Sequence, residues 1–272
     1  MSAEDLRRRR LRWLRFRRRR QRSTTMTVME HLRELRSRLI VSALAFVVAA
    51  VVIFVLYDQV QEFLRRPLCS LPDTLVPRNC RLLTFGATEG LSVRLKVAAA
   101  GGFIFASPVW LYELWAFITP GLTMKEKRYA GPFIFSALFL FSAGMAFAYF
   151  MLPNALRFLI QISGEGVDVN FRAQDYVNFV GLVLIAFGVT FQLPLLLFFL
   201  GLANVITVEQ LRRYRRYAIV GIAVLGAVVT PTQDPFTMLA LSAPLYALYE
   251  LVIVLLSVVK KRRRRAGTES SV

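Results

Sequence analysis

Apolar residues come in long runs separated by short polar gaps: Leu39 to Tyr57, Val97 to Ile118, Tyr129 to Leu152, Tyr176 to Ala203, Tyr217 to Thr230 and Pro235 to Val259. A helix rises ~1.5 Å per residue and hydrocarbon is ~30 Å thick, so about 20 residues cross it. Five of the runs reach that length. The run Tyr217 to Thr230 is only ~21 Å long as a helix and must thin the bilayer or borrow polar flanks. Pro231, Thr232, Gln233 and Asp234 join it to the last run, with Asp234 expected as the cap of the final helix and Pro235 at its first position. The expected fold is an all-α integral membrane protein of six transmembrane helices, the fifth and sixth forming a short hairpin.

The gaps have structure of their own. Val60, Phe63, Leu64 and Leu68 recur at helical spacing among Gln61, Glu62, Arg65 and Arg66, which predicts a short amphipathic helix on the membrane surface. Pro108, Pro132, Pro153, Pro194 and Pro244 fall within or at the edge of apolar runs and predict kinked or curved helices, hence a concave surface. Thr27-Val28-Met29-Glu30 has capping-box form, so order is expected from residue 27. This divides the chain into a basic, partly disordered arm (1–26), a membrane domain (27–259) and a basic tail (260–272). A cleaved leader is not expected, because Val55, Leu56, Tyr57 and Asp58 offer no small-x-small site after the first apolar run.

Charge then orients the helices. Lys and Arg together number 35 against 17 acidic residues. Most of them lie in alternate gaps: Arg7 to Arg22 with Arg33, Arg36 and Arg38; Lys125, Lys127 and Arg128; Arg212 to Arg216; and Lys260 to Arg265. Basic residues flanking spans stay cytoplasmic. Both termini and the second and fourth loops are therefore expected inside, in a cytoplasmic inner membrane. Nucleic acid is excluded as the partner, because the basic blocks sit at the ends of lipid-length runs and not on one polar domain. Anionic lipid accounts for the tails, at ~1 kcal/mol per residue near the surface. Cys69 and Cys80 fall together in the first outer loop, where disulfides survive. A bond and two free thiols both fit, since spacing alone does not set their separation.

No phosphate-cradling glycine loop, nucleophile with a base, or metal set is visible, and His31 is the only histidine. No catalysis, metal or cofactor is expected. A secondary transporter or channel for a small solute is the alternative function, and it should show repeated halves and a charged midplane.

Several blocks carry a family resemblance. They are Glu30-His31-Leu32-x-Glu34-Leu35-Arg36-x-Arg38-Leu39, Ser107-Pro108 with Leu111 to Phe117 and Pro120, and Glu126-Lys127-Arg128. Gly144 to Phe150 with Pro153, Ala186 to Pro194, and Thr230-Pro231 with Asp234 complete the set. In this order the chain resembles the TatC subunits of twin-arginine protein translocases across roughly residues 27 to 259. The resemblance implies a receptor for twin-arginine signal peptides of folded precursors. Such a receptor works with small single-span TatA/TatB-type subunits, assembles as a homo-oligomer within a receptor complex, and is driven by the proton gradient. It also implies that Glu34 and Glu126 accept the two arginines, with Phe117 and Arg36 beside them. Carboxylates suit this role because guanidinium is always charged and pairs with them bidentately. Read from chemistry alone, Glu34 with Arg38 four residues on, and Glu126 between Lys125 and Lys127, are ordinary ion pairs worth ~0.3 to 0.5 kcal/mol.

Gln192, Pro194, Glu113 and Asp234 are the polar or helix-breaking positions in or near the spans expected to contact a partner. The family carries a glutamate or its amide at Gln192, and this chain has the amide. An interhelical hydrogen bond serves equally well there. Glu113 and Glu250, near inner helix ends, are expected to snorkel or to pair with Arg213 or Arg216.

Overall fold

The computed structural model describes residues 28–72, 82–86, 88–118, 130–162, 164, 171–229 and 235–269, nearly all of them helical. The helices are α1 (Val28–Val55), α2 (Tyr57–Cys69), α3 (Glu89–Phe105), α4 (Ser107–Ile118), α5 (Ala130–Ile162), α6 (Ala173–Thr190), α7 (Gln192–Leu202), α8 (Val208–Arg213), α9 (Arg215–Val229) and α10 (Pro235–Glu269). Among the described residues the only β pairing is one bridge, Leu83 with Arg172.

Among the described residues four stretches are long and apolar enough to cross a membrane: Met29–Val55, Gly131–Ile162, Ala173–Leu202 and Met238–Lys261. Helices α3 and α4 together are also long and apolar enough, but the pair is bent by 51° at Ala106. The short α9, of 15 residues, rises ~22 Å and falls below full hydrocarbon thickness, as its apolar run implied. The architecture is that of an all-α membrane protein. The apolar window of α1 is only 6% buried within the chain.

Two of the helix breaks stand just before a proline. Ala106 separates α3 from α4 two residues before Pro108, which has no amide to donate. The Trp110 indole N–H donates to the Phe103 carbonyl at 3.0 Å, satisfying an acceptor at the bend. Phe191 separates α6 from α7 three residues before Pro194. Pro153 and Pro244 instead lie inside the continuous helices α5 and α10, so proline alone does not break a helix here. In α2, Pro67 removes the amide that would bond the Phe63 carbonyl four residues back. The Tyr149 hydroxyl donates to that carbonyl at 2.9 Å, and the Tyr176 hydroxyl to the Leu64 carbonyl at 2.7 Å. These two tyrosines pin the amphipathic helix across α5 and α6.

Helix α1 packs along α3 and α4, α3 along α6, α6 along α5, and α10 along α7 and α9. The α1–α3 contact is backbone on backbone. A Cβ at Gly102 would lie 2.8 Å from Ala50 Cα. Away from the α1 N-terminus, the Leu83 amide donates to the Phe171 carbonyl and the Ala173 amide to the Leu83 carbonyl, both at 2.9 Å. Arg172 beside them donates to Glu89 at 2.8 Å, and that carboxylate is 4% exposed. The bond to Glu89 raises the Arg172 pKa above its ordinary value. Cys69, at the end of α2, is disulfide-bonded. The other cysteine, Cys80, lies outside the described residues, as do Thr27 and Asp234 at the expected caps.

Candidate functional site

The first turns of α1 and the last turn of α4 run side by side. His31, Glu34 and Arg38 follow one another at three- and four-residue spacing and share a stripe of α1; Glu113 and Phe117 share one of α4. The two stripes meet. The His31 and Phe117 rings stack with centroids 4.3 Å apart and planes 15° apart. Arg38 lies between the carboxylates. Its Nη2 and Nε donate to Glu34 Oε1 at 2.6 and 3.1 Å, and its Nη1 donates to Glu113 Oε2 at 2.7 Å.

One guanidinium between two carboxylates leaves a local charge of about minus one. The three side chains are 24%, 23% and 16% exposed for Arg38, Glu34 and Glu113. That is buried enough to weaken screening by water and open enough for exchange. Charge-assisted bonds of this length are the stronger class of hydrogen bond. The arrangement is one guanidinium clasped by carboxylates from two helices. Among the described residues no cluster of His, Cys, Asp and Glu is suited to a metal.

The family model for the Sec-independent protein translocase protein (TatC) matches residues 30–244. The chain belongs to the TatC family. It is 40% identical over 248 residues to the TatC protein of Frankia casuarinae, covering 89% of this chain and 68% of that protein. It is 39% identical to TatC of Aquifex aeolicus, covering 86% and 96% respectively. A crystal structure of the twin-arginine translocase receptor TatC in DDM superposes with a TM-score of 0.72 at 39% identity, covering 83% of this chain and 99% of that one.

Within this TatC-family protein, the structure brings together only part of the expected residue set. Glu34 and Phe117 lie on the one seam. Arg36 is exposed beside it. Glu126 lies outside the described residues. Glu113 belongs to the seam as well, paired with Arg38 and not with Arg213 or Arg216 as the sequence suggested. Glu250 pairs with Arg215 at 2.6 Å and accepts from the Tyr246 hydroxyl at 3.1 Å. Sequence reasoning found the Glu34–Arg38 pair from its spacing. It missed Arg38 as a bridge, because the second contact crosses 75 positions.

Gln192 opens α7, and its Nε2 donates to the Ala137 carbonyl of α5 at 3.0 Å, so the interhelical bond is present. Its Oε1 is buried with no hydrogen-bond partner among the described residues, and Pro194 is buried close by. A lateral cavity of about 390 Å³ lies beneath α2, lined by residues such as Phe63, Val97, Phe105, Met145 and Leu184. Its walls are almost wholly apolar, and they hold no group that would read an arginine.

Proposed function

We propose that this protein is the signal-receiving membrane subunit of a twin-arginine translocation system. As a TatC-family member it is a component of Sec-independent protein translocation and not an enzyme, and it is a multi-pass membrane protein. The observation that carries the proposal is the Arg38 guanidinium held between Glu34 and Glu113. A seam spaced to grip a guanidinium with carboxylates from two helices suits a peptide that presents adjacent arginines.

In this reading the seam faces the cytoplasm of a bacterial-type inner membrane, because the basic gaps lie at its end of the helices. Helix α9 counts as a sixth, shortened span, and both termini are inside. Glu126 supplies a second carboxylate from the neighbouring loop, and the stacked Phe117 and His31 give the peptide an apolar edge to rest on. Small single-span TatA/TatB-type subunits dock along α9 and near Gln192, further copies of the chain complete the receptor complex, and the proton gradient supplies the energy. The test is site-specific crosslinking of a twin-arginine precursor in membranes. Glu34→Gln or Glu126→Gln should lose the crosslink while the protein still inserts. A crosslink retained with both replaced would refute the assignment.

A further inference from the structure

We propose that the cavity beneath α2 holds one acyl chain of a membrane phospholipid, with the lipid phosphate against Arg66. The site lies apart from the seam and stands without the receptor reading. The cavity encloses about 390 Å³, within the ~300 to 1,000 Å³ usual for small-ligand sites. Four helices wall it, with Phe63 on α2, Phe105 on α3, Met145 and Phe150 on α5 and Leu184 on α6. Of its lining residues only Ser142 and Tyr149 carry a side-chain oxygen, and the Tyr149 hydroxyl already donates to the Phe63 carbonyl at 2.9 Å. Walls of this kind suit hydrocarbon and offer a polar ligand almost nothing to bond.

Depth separates a lipid tail from a partner helix. The lining advances eight residues from Val97 to Phe105 on α3 and eight from Ser142 to Phe150 on α5, a rise of ~12 Å. Hydrocarbon is ~30 Å thick, so the cavity belongs to one leaflet. A spanning helix needs the whole thickness, and α2, pinned across the top by Tyr149 and Tyr176, blocks its path. An acyl chain enters sideways and ends near mid-membrane. The mouth is on that side, because Phe63, Phe105 and Phe150 line the cavity and are nonetheless exposed. Arg66 follows Phe63 by three residues and so lies one turn along the same side of α2. It is exposed and joins no ion pair among the described residues. An amphipathic helix such as α2 lies at the membrane surface, at the level of the lipid headgroups. There a guanidinium matches a phosphate bidentately. Hydrocarbon walls one leaflet deep with a guanidinium at the rim complement a phospholipid at both of its ends.

The test is native mass spectrometry of the full-length protein in dodecyl maltoside, titrated with phosphatidylglycerol. It is paired with photolabelling in nanodiscs by a phosphatidylglycerol that carries a diazirine on its tail. One lipid should bind more tightly than all others, and tail adducts should concentrate on Phe105, Met145 and Phe150. Arg66→Gln should weaken that lipid about tenfold by removing one charge-assisted contact, while the adducts stay where they were. Ala146 lines the cavity from an exposed position on α5, so Ala146→Trp should fill it with an indole and abolish both the tight lipid and the adducts. In lipid-free detergent this variant should unfold no lower than the unaltered protein, which separates filling from misfolding. A tight lipid retained by Ala146→Trp, adducts spread evenly over the apolar face of α1, or unchanged binding by Arg66→Gln overturns the proposal. So does dodecyl maltoside that competes as well as the phospholipid, or a photoreactive residue at Phe105 that captures a protein and no lipid.

Discussion

Gly102→Ala is the sharpest test of how the helices that build the seam are held. A Cβ at this position would meet Ala50 Cα, Cβ and N, each at 2.8 Å. Carbon atoms prefer about 3.5 to 4.0 Å, so α1 and α3 must part by roughly 0.7 to 1 Å. Two of the three contacts are backbone atoms that no rotamer change can move. Overpacking of this kind costs about 1 to 3 kcal/mol, and a backbone collision belongs at the upper end. Alanine recovers about 1 kcal/mol of helix preference over glycine. The net loss is about 2 kcal/mol. At roughly 2 to 4 °C per kcal/mol for chains near this size, that is a fall of about 4 to 8 °C in unfolding temperature. Circular dichroism of the purified protein in detergent reads it. Gly221→Ala is the control, because nothing lies within 4 Å of a Cβ there. Adding Ala50→Gly to Gly102→Ala should restore only a fraction, since it removes one contact of the three. If Gly102→Ala melts with Gly221→Ala, the close approach of α1 and α3 does not support the fold.

Other outcomes follow from the same contacts. Tyr176→Phe should lose about 1 kcal/mol, by removing the donor to the buried Leu64 carbonyl, and should expose α2 to added protease. Arg172→Gln should speed hydrogen exchange at the Leu83 and Ala173 amides, because Glu89 is left with a lone charge beside the bridge; unchanged protection would show that the ion pair does not hold the bridge. Gln192→Leu should cost about 1 kcal/mol in unfolding experiments while leaving precursor binding as it was. A loss of precursor binding with unchanged stability would assign Gln192 to recognition and not to packing.

The long apolar runs made the fold legible, because lipid imposes a length and a composition that few other environments require. The amphipathic α2 was readable from Val60, Phe63, Leu64 and Leu68 for the same kind of reason: a surface helix must segregate its faces. Proline gave a weaker signal. Pro108 and Pro194 stand just after breaks, while Pro153 and Pro244 sit in unbroken helices, and the difference depends on neighbouring packing that one sequence does not display. The six-residue α8 was overlooked, although Thr207 and Gln210 form a reciprocal capping box that is visible as a spacing. At the seam, Glu34 with Arg38 was legible because both ends of the pair lie within one helical turn. Glu113 was not, since its partner is set by how α4 bends at Ala106 and lies against α1. Nor does spacing reveal that Tyr149 supplies the donor missing at Pro67.

A signal receptor is tested best by where an arginine pair lands on it. A photoreactive residue at Phe117, in otherwise unaltered membranes, should crosslink to a precursor at or next to its two arginines, and a twin-lysine precursor should compete poorly. Crosslinks to the arginine pair arising only from the opposite face, at Leu83 or Phe85, would contradict it.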